Sequence, residues 1–438
     1  MNKIPTYIIN LKEREDRNIH TRKQFSNREE FSLTIVEGIR HENGALGLIL
    51  TIQKILSTMV PEAARYIIIG EDDHQFTEHY SKELLFEAVT AAENKDADML
   101  LCGISAFKGF IPIDSRLNWV KDFTGTQFVV LFRKCFKSII NAKANIGLTA
   151  DGLYTTLSND KYFIYPFIST QKEFGYSDAT NENNEIGRIT ELFEKSATTA
   201  NLLTKVYSYY HELIPTQSIQ TSDYEGMVLP TYIINLPERE ERRIHILGQF
   251  DGRAEFDYKL IKAVKHSVGA YGLWQTIRKI IHLAIENDDE VILICEDDHE
   301  FSAGYSRDFL FKNILEAHLQ GADYISGGSG GFDYALPITE NRFWVNPCYS
   351  TQFIIIYKKF FQQILDEPYD ETVIADILLP SMTSNKMLLY PYISFQKDFG
   401  YSDVTPLHQE YKGLITRIFS NSEKTLALHQ DIYIRHCK

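Results

Sequence analysis

The segment Thr231-Tyr-Ile-Ile-Asn-Leu-Pro-Glu-Arg-Glu-Glu-Arg242 decides the fold, because it repeats a segment found near the start of the chain. The earlier copy reads Thr6-Tyr-Ile-Ile-Asn-Leu-Lys-Glu-Arg-Glu-Asp-Arg17, at an offset of 225 residues. Across residues 6–25 and 231–250, 14 of 20 positions are identical, which chance does not produce. A period this long excludes a solenoid of short repeats and indicates two whole domains in tandem.

The same offset continues far beyond the first segment. It relates Gly44, Gly47, Glu71-Asp72-Asp73, Trp119, Gln127, Asp151 and Tyr165–Asp178 to Gly269, Gly272, Glu296-Asp297-Asp298, Trp344, Gln352, Asp376 and Tyr390–Asp403. A helical tail follows each copy, and a Pro/Thr/Gln/Ser-rich stretch separates them. We therefore predict a first domain over residues 1–209, a linker over 210–228 and a second domain over 229–438.

Composition and charge narrow the class of protein. The 438 residues are 44% hydrophobic and 24% charged, which is typical of a globular protein. The net charge of -14 argues against nucleic-acid binding. The five cysteines are scattered, without metal-like spacing, which predicts reduced thiols. No apolar run is long enough to span a membrane and no signal peptide is recognisable, so we predict a cytoplasmic protein.

Strands and helices alternate along each copy. The first copy begins with an apolar strand at 6–10, a polar helix at 14–25 and a short strand at 33–36, followed by a helix at 46–59 and a buried strand at 66–69. This order predicts an α/β, Rossmann-like fold, with a mostly parallel sheet and helices on both faces. In such sheets ligands bind beyond the carboxyl ends of the strands.

An acidic triplet stands at that place in both copies. An apolar strand ends in Glu71-Asp72-Asp73 in the first copy and in Glu296-Asp297-Asp298 in the second. Residues two apart share a side of an extended chain, so Glu71 with Asp73, and Glu296 with Asp298, are candidate ligands of Mn²⁺ or Mg²⁺ held together with substrate phosphates. The alternative is a solvated acidic loop or a helix N-cap, and the recurrence of the triplet favours the metal.

Together, the Ile-Asn-Leu-x-x-Arg-x-x-Arg segment, the Gly-x-x-Gly helix opening and the strand-borne Glu-Asp-Asp resemble glycosyltransferase family 25. The order Asp151, Tyr165-Pro166, Gln171, and its copy Asp376, Tyr390-Pro391, Gln396, strengthens the resemblance. The resemblance implies a GT-A-like fold and metal-dependent, inverting transfer of a hexose, galactose or glucose. The implied donor is a nucleotide sugar, UDP-hexose above all, and the acceptor is a glycan or lipid-linked oligosaccharide, as in bacterial lipopolysaccharide biosynthesis. Such acceptors place the enzyme at the inner face of the membrane.

The resemblance also implies roles for single residues. By position, the nucleotide-sugar-binding residues are Asn10, Arg14, Arg17 and Gln171 in the first copy and Asn235, Arg239, Arg242 and Gln396 in the second. An inverting transferase needs a general base, and Asp151 and Asp376 are the candidates because each stands in an otherwise apolar or small stretch. A helix N-cap is the competing interpretation for both.

Several alternatives stay open at this stage. Trp119 and Trp344 are either acceptor-stacking platforms or core residues, His74 and His299 either bind metal or border the loop, and Asp178 and Asp403 end a segment that forms a lid or a turn. Both copies lack the Cys and Ser-His that follow Gly-x-x-Gly in common family members. The first hypothesis for the function is a tandem glycosyltransferase with two competent sites acting on a surface glycan. The alternative is one active domain with one scaffold or glycan- or nucleotide-sugar-binding domain, and the third hypothesis is a wholly non-catalytic binding module.

Overall fold

The computed structural model describes residues 3–176, 185–213, 219–400 and 413–437. The chain divides into two compact units, the first running to Val206 and the second from Tyr207 to His436. The predicted linker contains helical turns at Tyr209–Leu213 and Thr221–Asp223. Asp178 and Asp403 lie outside the described residues.

The first unit alternates strands and helices as the sequence predicts. Its elements are β1 (Ile4–Asn10), α1 (Glu15–Phe25), β2 (Phe31–Glu37), α2 (Gly44–Thr58), β3 (Tyr66–Glu71), β4 (His74–Phe76), α3 (Lys82–Asn94), β5 (Met99–Leu101), β6 (Ala106–Pro112), β7 (Leu117–Thr124), β8 (Phe128–Phe132), α4 (Arg133–Asn141), α5 (Ala150–Leu157), β9 (Lys161–Ile164), β10 (Ser169–Gln171) and α6 (Arg188–Ser208).

The second unit repeats this order. Its elements are β11 (Leu229–Asn235), α7 (Glu240–Phe250), β12 (Phe256–Lys262), α8 (Gly269–Glu286), β13 (Val291–Glu296), β14 (His299–Phe301), α9 (Arg307–Leu319), β15 (Tyr324–Ser326), β16 (Tyr334–Thr339), β17 (Arg342–Asn346), β18 (Phe353–Tyr357), α10 (Lys358–Asp366), α11 (Ala375–Ser381), β19 (Lys386–Leu389), β20 (Ser394–Gln396) and α12 (Leu414–Cys437).

Each unit is built on one eight-stranded sheet and one two-stranded sheet. The large sheet of the first unit has the order β2-β1-β3-β8-β5-β9-β7-β6, and that of the second has the equivalent order β12-β11-β13-β18-β15-β19-β17-β16. In the first unit β7 and β8 run against the other six strands. The predicted α/β class, with two similar domains and a mostly parallel strand direction, is confirmed.

Apolar strands and close helix packing build the core. β3 is buried at its four central positions and β8 throughout, as expected for strands covered on both faces. At Gly47 a Cβ atom would lie 2.4 Å from the carbonyl oxygen of Ile39, and at Gly272 it would lie 2.4 Å from that of Val264. The second glycine of each Gly-x-x-Gly therefore lets α2 or α8 approach the preceding loop.

The five cysteines are free thiols, and four of them are buried. No helix within the described ranges is both long and apolar enough to cross a membrane.

Candidate active site

The acidic triplet lies where β3 and β13 end, beside the carboxyl ends of β1 and β11. Parallel pairing puts Ile9 next to Glu71, and Ile234 next to Glu296. The chain then turns into the short strands β4 and β14, which pair with β10 and β20 so that His74 faces Gln171 and His299 faces Gln396. The three carboxylates consequently point to three different sets of partners.

The middle carboxylate points into the protein. Asp72 accepts a hydrogen bond from the Asn10 amide at 2.9 Å and one from the Arg17 guanidinium at 3.0 Å. These three side chains are almost completely buried. The buried charge of the aspartate is therefore compensated by an ion pair and an amide donor.

The second unit reproduces this arrangement. Asp297 accepts from Asn235 at 2.8 Å and from Arg242 at 3.1 Å. Sequence reasoning assigned no role to Asp72 or Asp297, although their recurrence was a signal. The role of these asparagines and arginines in nucleotide binding stays a prediction. What the structure shows is that they hold the middle carboxylate in place.

In the third carboxylate one oxygen accepts hydrogen bonds, and the other has no partner among the residues that the structure describes. In the second unit, Asp298 Oδ2 accepts from Arg242 at 3.0 Å and from Gln396 at 3.0 Å. In the first unit, Arg17 lies 3.4 Å from Asp73 Oδ2, and the Gln171 side chain also donates to Asp73. The Oδ1 atoms of Asp73 and Asp298 are buried and accept no hydrogen bond among the described residues.

Burial and mutual repulsion raise the pKa values of the outer carboxyl groups. Burial, followed by the charge of Asp72, raises the pKa of Asp73 to about 6, although Arg17 opposes the shift. Burial and then Asp73 raise the pKa of Glu71 to about 8. In the second unit the pKa values of Glu296 and Asp298 are raised as well, with burial the largest cause. Each site therefore favours either a proton or a cation.

A threonine joins the first carboxylate to the candidate base. Thr351 Oγ1 lies 2.7 Å from Glu296 Oε1 and 2.8 Å from Asp376 Oδ1. One hydroxyl carries one hydrogen, so both contacts are hydrogen bonds only when one carboxyl group is protonated. When both carboxylates are ionised, Thr351 donates to one of them at a time, and a cation on Glu296 would leave the Thr351 hydrogen for Asp376.

The first unit differs at this contact. Thr126 donates to Glu71 at 2.7 Å, whereas Asp151 Oδ1 accepts from the N–H of Gly152 at 2.8 Å. Thr149 caps α5 through Gly152 N–H, so Asp151 is in the first turn and is not the N-cap. Asp376 is likewise inside the first turn of α11, whose N-cap is Ile374. The N-cap interpretation of both aspartates is therefore wrong.

A cavity of about 760 Å³ in the second unit brings the predicted site residues together. It is lined by all seven of them: Asn235, Arg239, Arg242, Glu296, Asp298, Asp376 and Gln396. The loop after β12 also contributes, through Lys265 and His266. Its volume lies in the range of pockets that hold small ligands, about 300–1,000 Å³.

Aromatic residues of the repeated Phe-Gly-Tyr segment cover the buried arginines. The Arg17 guanidinium lies 4.7 Å from the Phe174 ring centroid, and that of Arg242 lies 4.8 Å from Phe399. In the first unit Tyr176 adds a second ring over Arg17, at 4.5 Å, and Arg14 lies 3.7 Å from Asp72. These contacts hold the guanidinium planes in place.

Other sequence candidates belong to the core. Trp119 and Trp344 are buried, and their indole N–H groups donate to the carbonyls of Asn159 and Ser384, both at 2.6 Å. The rings of His74 and His299 are buried too, and Nδ1 of each lies within 2.8 Å of a serine hydroxyl. Burial lowers the pKa of both histidines well below the usual value.

The donor set fits a hard cation held jointly with a ligand. Among the described residues no group of three or more His, Cys, Asp or Glu side chains forms a ready-made metal cage. Each unit nevertheless offers a buried aspartate oxygen without a hydrogen-bond donor, on Asp73 or Asp298. Mg²⁺ and similar ions commonly use one or two carboxylates and complete their shell with water and phosphate oxygens.

Comparison with known proteins gives no family for the chain. No family model matches it, and no curated protein does. Among solved structures, A197 from STIV matches at 12% identity and a TM-score of 0.27, covering 40% of this chain and 87% of its own.

Two structures of UDP-glucose pyrophosphorylase also match. The apo form does so at 13% identity and a TM-score of 0.26, covering 44% of this chain and 82% of its own. The UDP-glucose complex matches at 11% identity and a TM-score of 0.27, covering 44% and 81%. Likeness of this size carries no information about activity or substrate.

Proposed function

We propose that the chain is a glycosyltransferase that moves a hexose, galactose or glucose, from a nucleotide sugar to a glycan acceptor. The carrying observation is the cavity of the second unit, where an acidic triplet, two arginines and the candidate base Asp376 line one space of about 760 Å³. The proposed donor is a UDP-hexose, and the proposed acceptor is a glycan or lipid-linked oligosaccharide. Both follow from the resemblance of the sequence to glycosyltransferase family 25.

The cavity has different residues for binding the charged diphosphate and its metal ion and for accepting the proton. Arg239 and Lys265 stand on its wall, where cationic side chains suit a diphosphate. Asp298 presents its Oδ1 atom, and Glu296 is the second predicted ligand, for a bound Mn²⁺ or Mg²⁺. Such an ion would neutralise charge on the departing diphosphate.

Asp376 supplies the proton acceptor. The acceptor hydroxyl oxygen attacks the anomeric carbon, its proton passes to Asp376, and the bond from that carbon to the diphosphate oxygen breaks. The nucleoside diphosphate leaves with the bonding electron pair, and the configuration is inverted. The hydrogen bond from Thr351 fixes one oxygen of Asp376, which orients the carboxylate for this transfer.

A Mn²⁺-dependent nucleotide-sugar turnover screen tests the proposal on the full chain. Asp73→Ala and Asp298→Ala form a matched pair, because the two residues occupy equivalent positions in the two units. We expect Asp298→Ala to remove the turnover that the second unit contributes, because the substitution removes a predicted metal ligand of that unit. Turnover that neither change lowers would mean that the metal assignment is wrong.

A second candidate function is one active unit with one binding unit. It is favoured by the contact between Thr351 and Asp376, because in the first unit Asp151 instead accepts from Gly152 N–H. The same screen decides between them: loss only in Asp298→Ala indicates one active unit, and partial loss in each variant indicates two. If no donor turns over, glycan binding alone would favour the non-catalytic module.

A further inference from the structure

One wall of the cavity differs between the two units. In the second unit it consists of the end of Ser326-Gly-Gly-Ser-Gly-Gly331, which begins at the last residue of β15, and of the adjacent Tyr349-Ser350. At the offset of 225, the first unit has Ser105-Ala106 and Thr124-Gly125 instead. This wall is therefore a feature that the second unit has by itself.

One glycine of this wall, Gly331, leaves space that the packing of the fold does not require. A Cβ at Gly330 would lie 3.2 Å from both Ile418 Cδ1 and Ser350 Oγ, closer than an ordinary van der Waals contact. At Gly331 the nearest neighbour of a Cβ, among the described residues, would be Tyr349 Cδ2 at 3.6 Å. By contrast, a Cβ at Gly328 would lie 2.1 Å from the carbonyl oxygen of Ser394. Packing explains Gly328 and Gly330, whereas Gly331 mainly enlarges the cavity.

Tyr349 presents an aromatic ring beside this space. Its side chain lines the cavity although the residue is 39% exposed. Its backbone is fixed by a bridge to Gly331, with N–H to O at 3.2 Å, and by a hydrogen bond from Ser329 Oγ to its carbonyl at 2.6 Å. Tyr349 thus has a fixed backbone and an accessible ring on the wall of a ligand-sized cavity.

Ser350 adds a hydroxyl at an unfavourable backbone position. Its φ is +93°, where side chains other than glycine are strained, and the first unit has Gly125 there at +104°. The second unit therefore keeps a side chain where the backbone favours glycine. Ser350 Oγ accepts from Gly330 N–H at 3.1 Å, which leaves its own O–H as a donor.

We propose that Tyr349, Ser350, Gly330 and Gly331 form a pyranose-binding acceptor subsite in the second unit. A pyranose face carries C–H groups that pack on the electron-rich face of an aromatic ring. Gly331 gives the sugar room, Gly330 holds Ser350 Oγ through its N–H, and the Ser350 O–H donates to a sugar hydroxyl. The subsite adjoins Thr351, which contacts Asp376, so it takes the acceptor beside the base. This inference rests on the proposed function.

The test measures saccharide and nucleotide binding separately on the full chain. The probes are lactose, methyl galactoside, methyl glucoside and UDP, and saturation-transfer NMR measures the binding of each. Tyr349→Ala removes the ring, Tyr349→Phe keeps it, and Gly331→Val fills the space beside it. Thr124→Ala at the equivalent position of the first unit is the matched control.

We expect Tyr349→Ala and Gly331→Val to weaken the best-bound saccharide about tenfold, as removal of a central contact does. Tyr349→Phe and Thr124→Ala should bind it within about twofold of wild type, and UDP binding should hold in all variants. Wild-type saccharide affinity in Tyr349→Ala, or no binding of any saccharide to wild type, would overturn the subsite. Loss of UDP binding in Tyr349→Ala would also overturn the subsite, because the Tyr349 ring would then stack on the uracil of the nucleotide and not on a saccharide.

Nucleotide-sugar turnover of the wild type is measured in parallel. Turnover without a Tyr349-dependent saccharide site leaves the proposed function standing and removes the subsite. A Tyr349-dependent saccharide site without turnover leaves the saccharide-binding site standing and removes the proposed function.

Discussion

Single residues in the acidic triplet have different tasks. Asp297 is enclosed by Asn235 and Arg242, whereas Asp298 keeps one buried oxygen without a hydrogen-bond partner among the described residues. The sequence predicted the position of the triplet, because an apolar strand runs directly into it and ligands bind beyond the carboxyl ends of parallel strands. The direction of each carboxylate could not be predicted, because the chain turns directly after β13 and strict alternation stops there.

This difference predicts a separation of stability from metal binding. Asp297→Ala removes an acceptor of the buried Asn235 amide and leaves Arg242 with Asp298 as its remaining carboxylate, so we expect a loss of about 1–3 kcal/mol in the free energy of unfolding. Asp298→Ala keeps the ion pair between Arg242 and Asp297, so we expect a smaller loss but no Mn²⁺ binding at this unit. Denaturant unfolding and Mn²⁺ titration measure the two effects. Equal destabilisation by both changes would contradict the assignment.

The raised pKa of Glu71 predicts a pH-dependent stability. The value of about 8 exceeds the ordinary 4.5, so the folded protein holds this proton more firmly than the unfolded chain. The contribution to stability is therefore complete below about pH 4.5 and is lost as the pH rises to about 8.

The metal-free Glu71→Gln variant tests that sign. It should match the wild type at pH 5 and be more stable than it at pH 8, by on the order of 2 kcal/mol. Unfolding curves at both pH values give the comparison, and Glu37→Gln, on the exposed end of β2, is the surface control. A variant less stable than the wild type at pH 8 would count against the shift.

At the scale of elements, the Gly-x-x-Gly segments set how closely α2 and α8 pack. We expect Gly272→Ala to destabilise the second unit by about 1–3 kcal/mol, because its Cβ would lie 2.4 Å from the Val264 carbonyl oxygen. Gly248→Ala is the matched control: it lies within α7 with nothing within 4 Å, and should stabilise by about 0.5–1 kcal/mol. Thermal unfolding of both variants decides; a neutral Gly272→Ala would exclude the close approach.

A buried lysine anchors the helix that carries Asp376. Lys386 Nζ donates to the carbonyls of Pro380 and Thr383, at 2.8 and 2.7 Å, where α11 ends. Lys161 binds the carbonyls of Thr155 and Ser158 in the same way at the end of α5. Sequence reasoning missed both lysines, although they occupy equivalent positions.

We expect Lys386→Met to lower kcat about tenfold with little change in the donor KM, because Asp376 is less well placed for proton transfer. Lys161→Met is the control for the first unit and should leave the chemistry of the second unit unchanged. Steady-state kinetics with varied donor concentration separates kcat from KM. A rise in donor KM alone would argue against a positioning role.

For the whole molecule, the duplication made most of the architecture predictable. Apolar strands and helices recurring at a fixed offset predicted two α/β units. Asp376 and Gln396 line the same cavity as the triplet, and their catalytic and binding roles stay predictions. The antiparallel direction of β18 was not predictable, because a strand buried on both faces has the same apolar pattern in either direction. Trp119 and Trp344 show the same limit: composition does not distinguish a stacking platform from a core residue.

The central claim is that the second-unit cavity holds a nucleotide sugar with a metal ion on Asp298. A crystal structure of the full chain with UDP-hexose and Mn²⁺, including anomalous data for the metal, tests it most directly. We predict an anomalous peak about 2.1 Å from Asp298 Oδ1, with the diphosphate on the metal and the sugar facing Asp376. A nucleotide bound outside this cavity, or a diphosphate in it with no metal near Asp298, would contradict the claim.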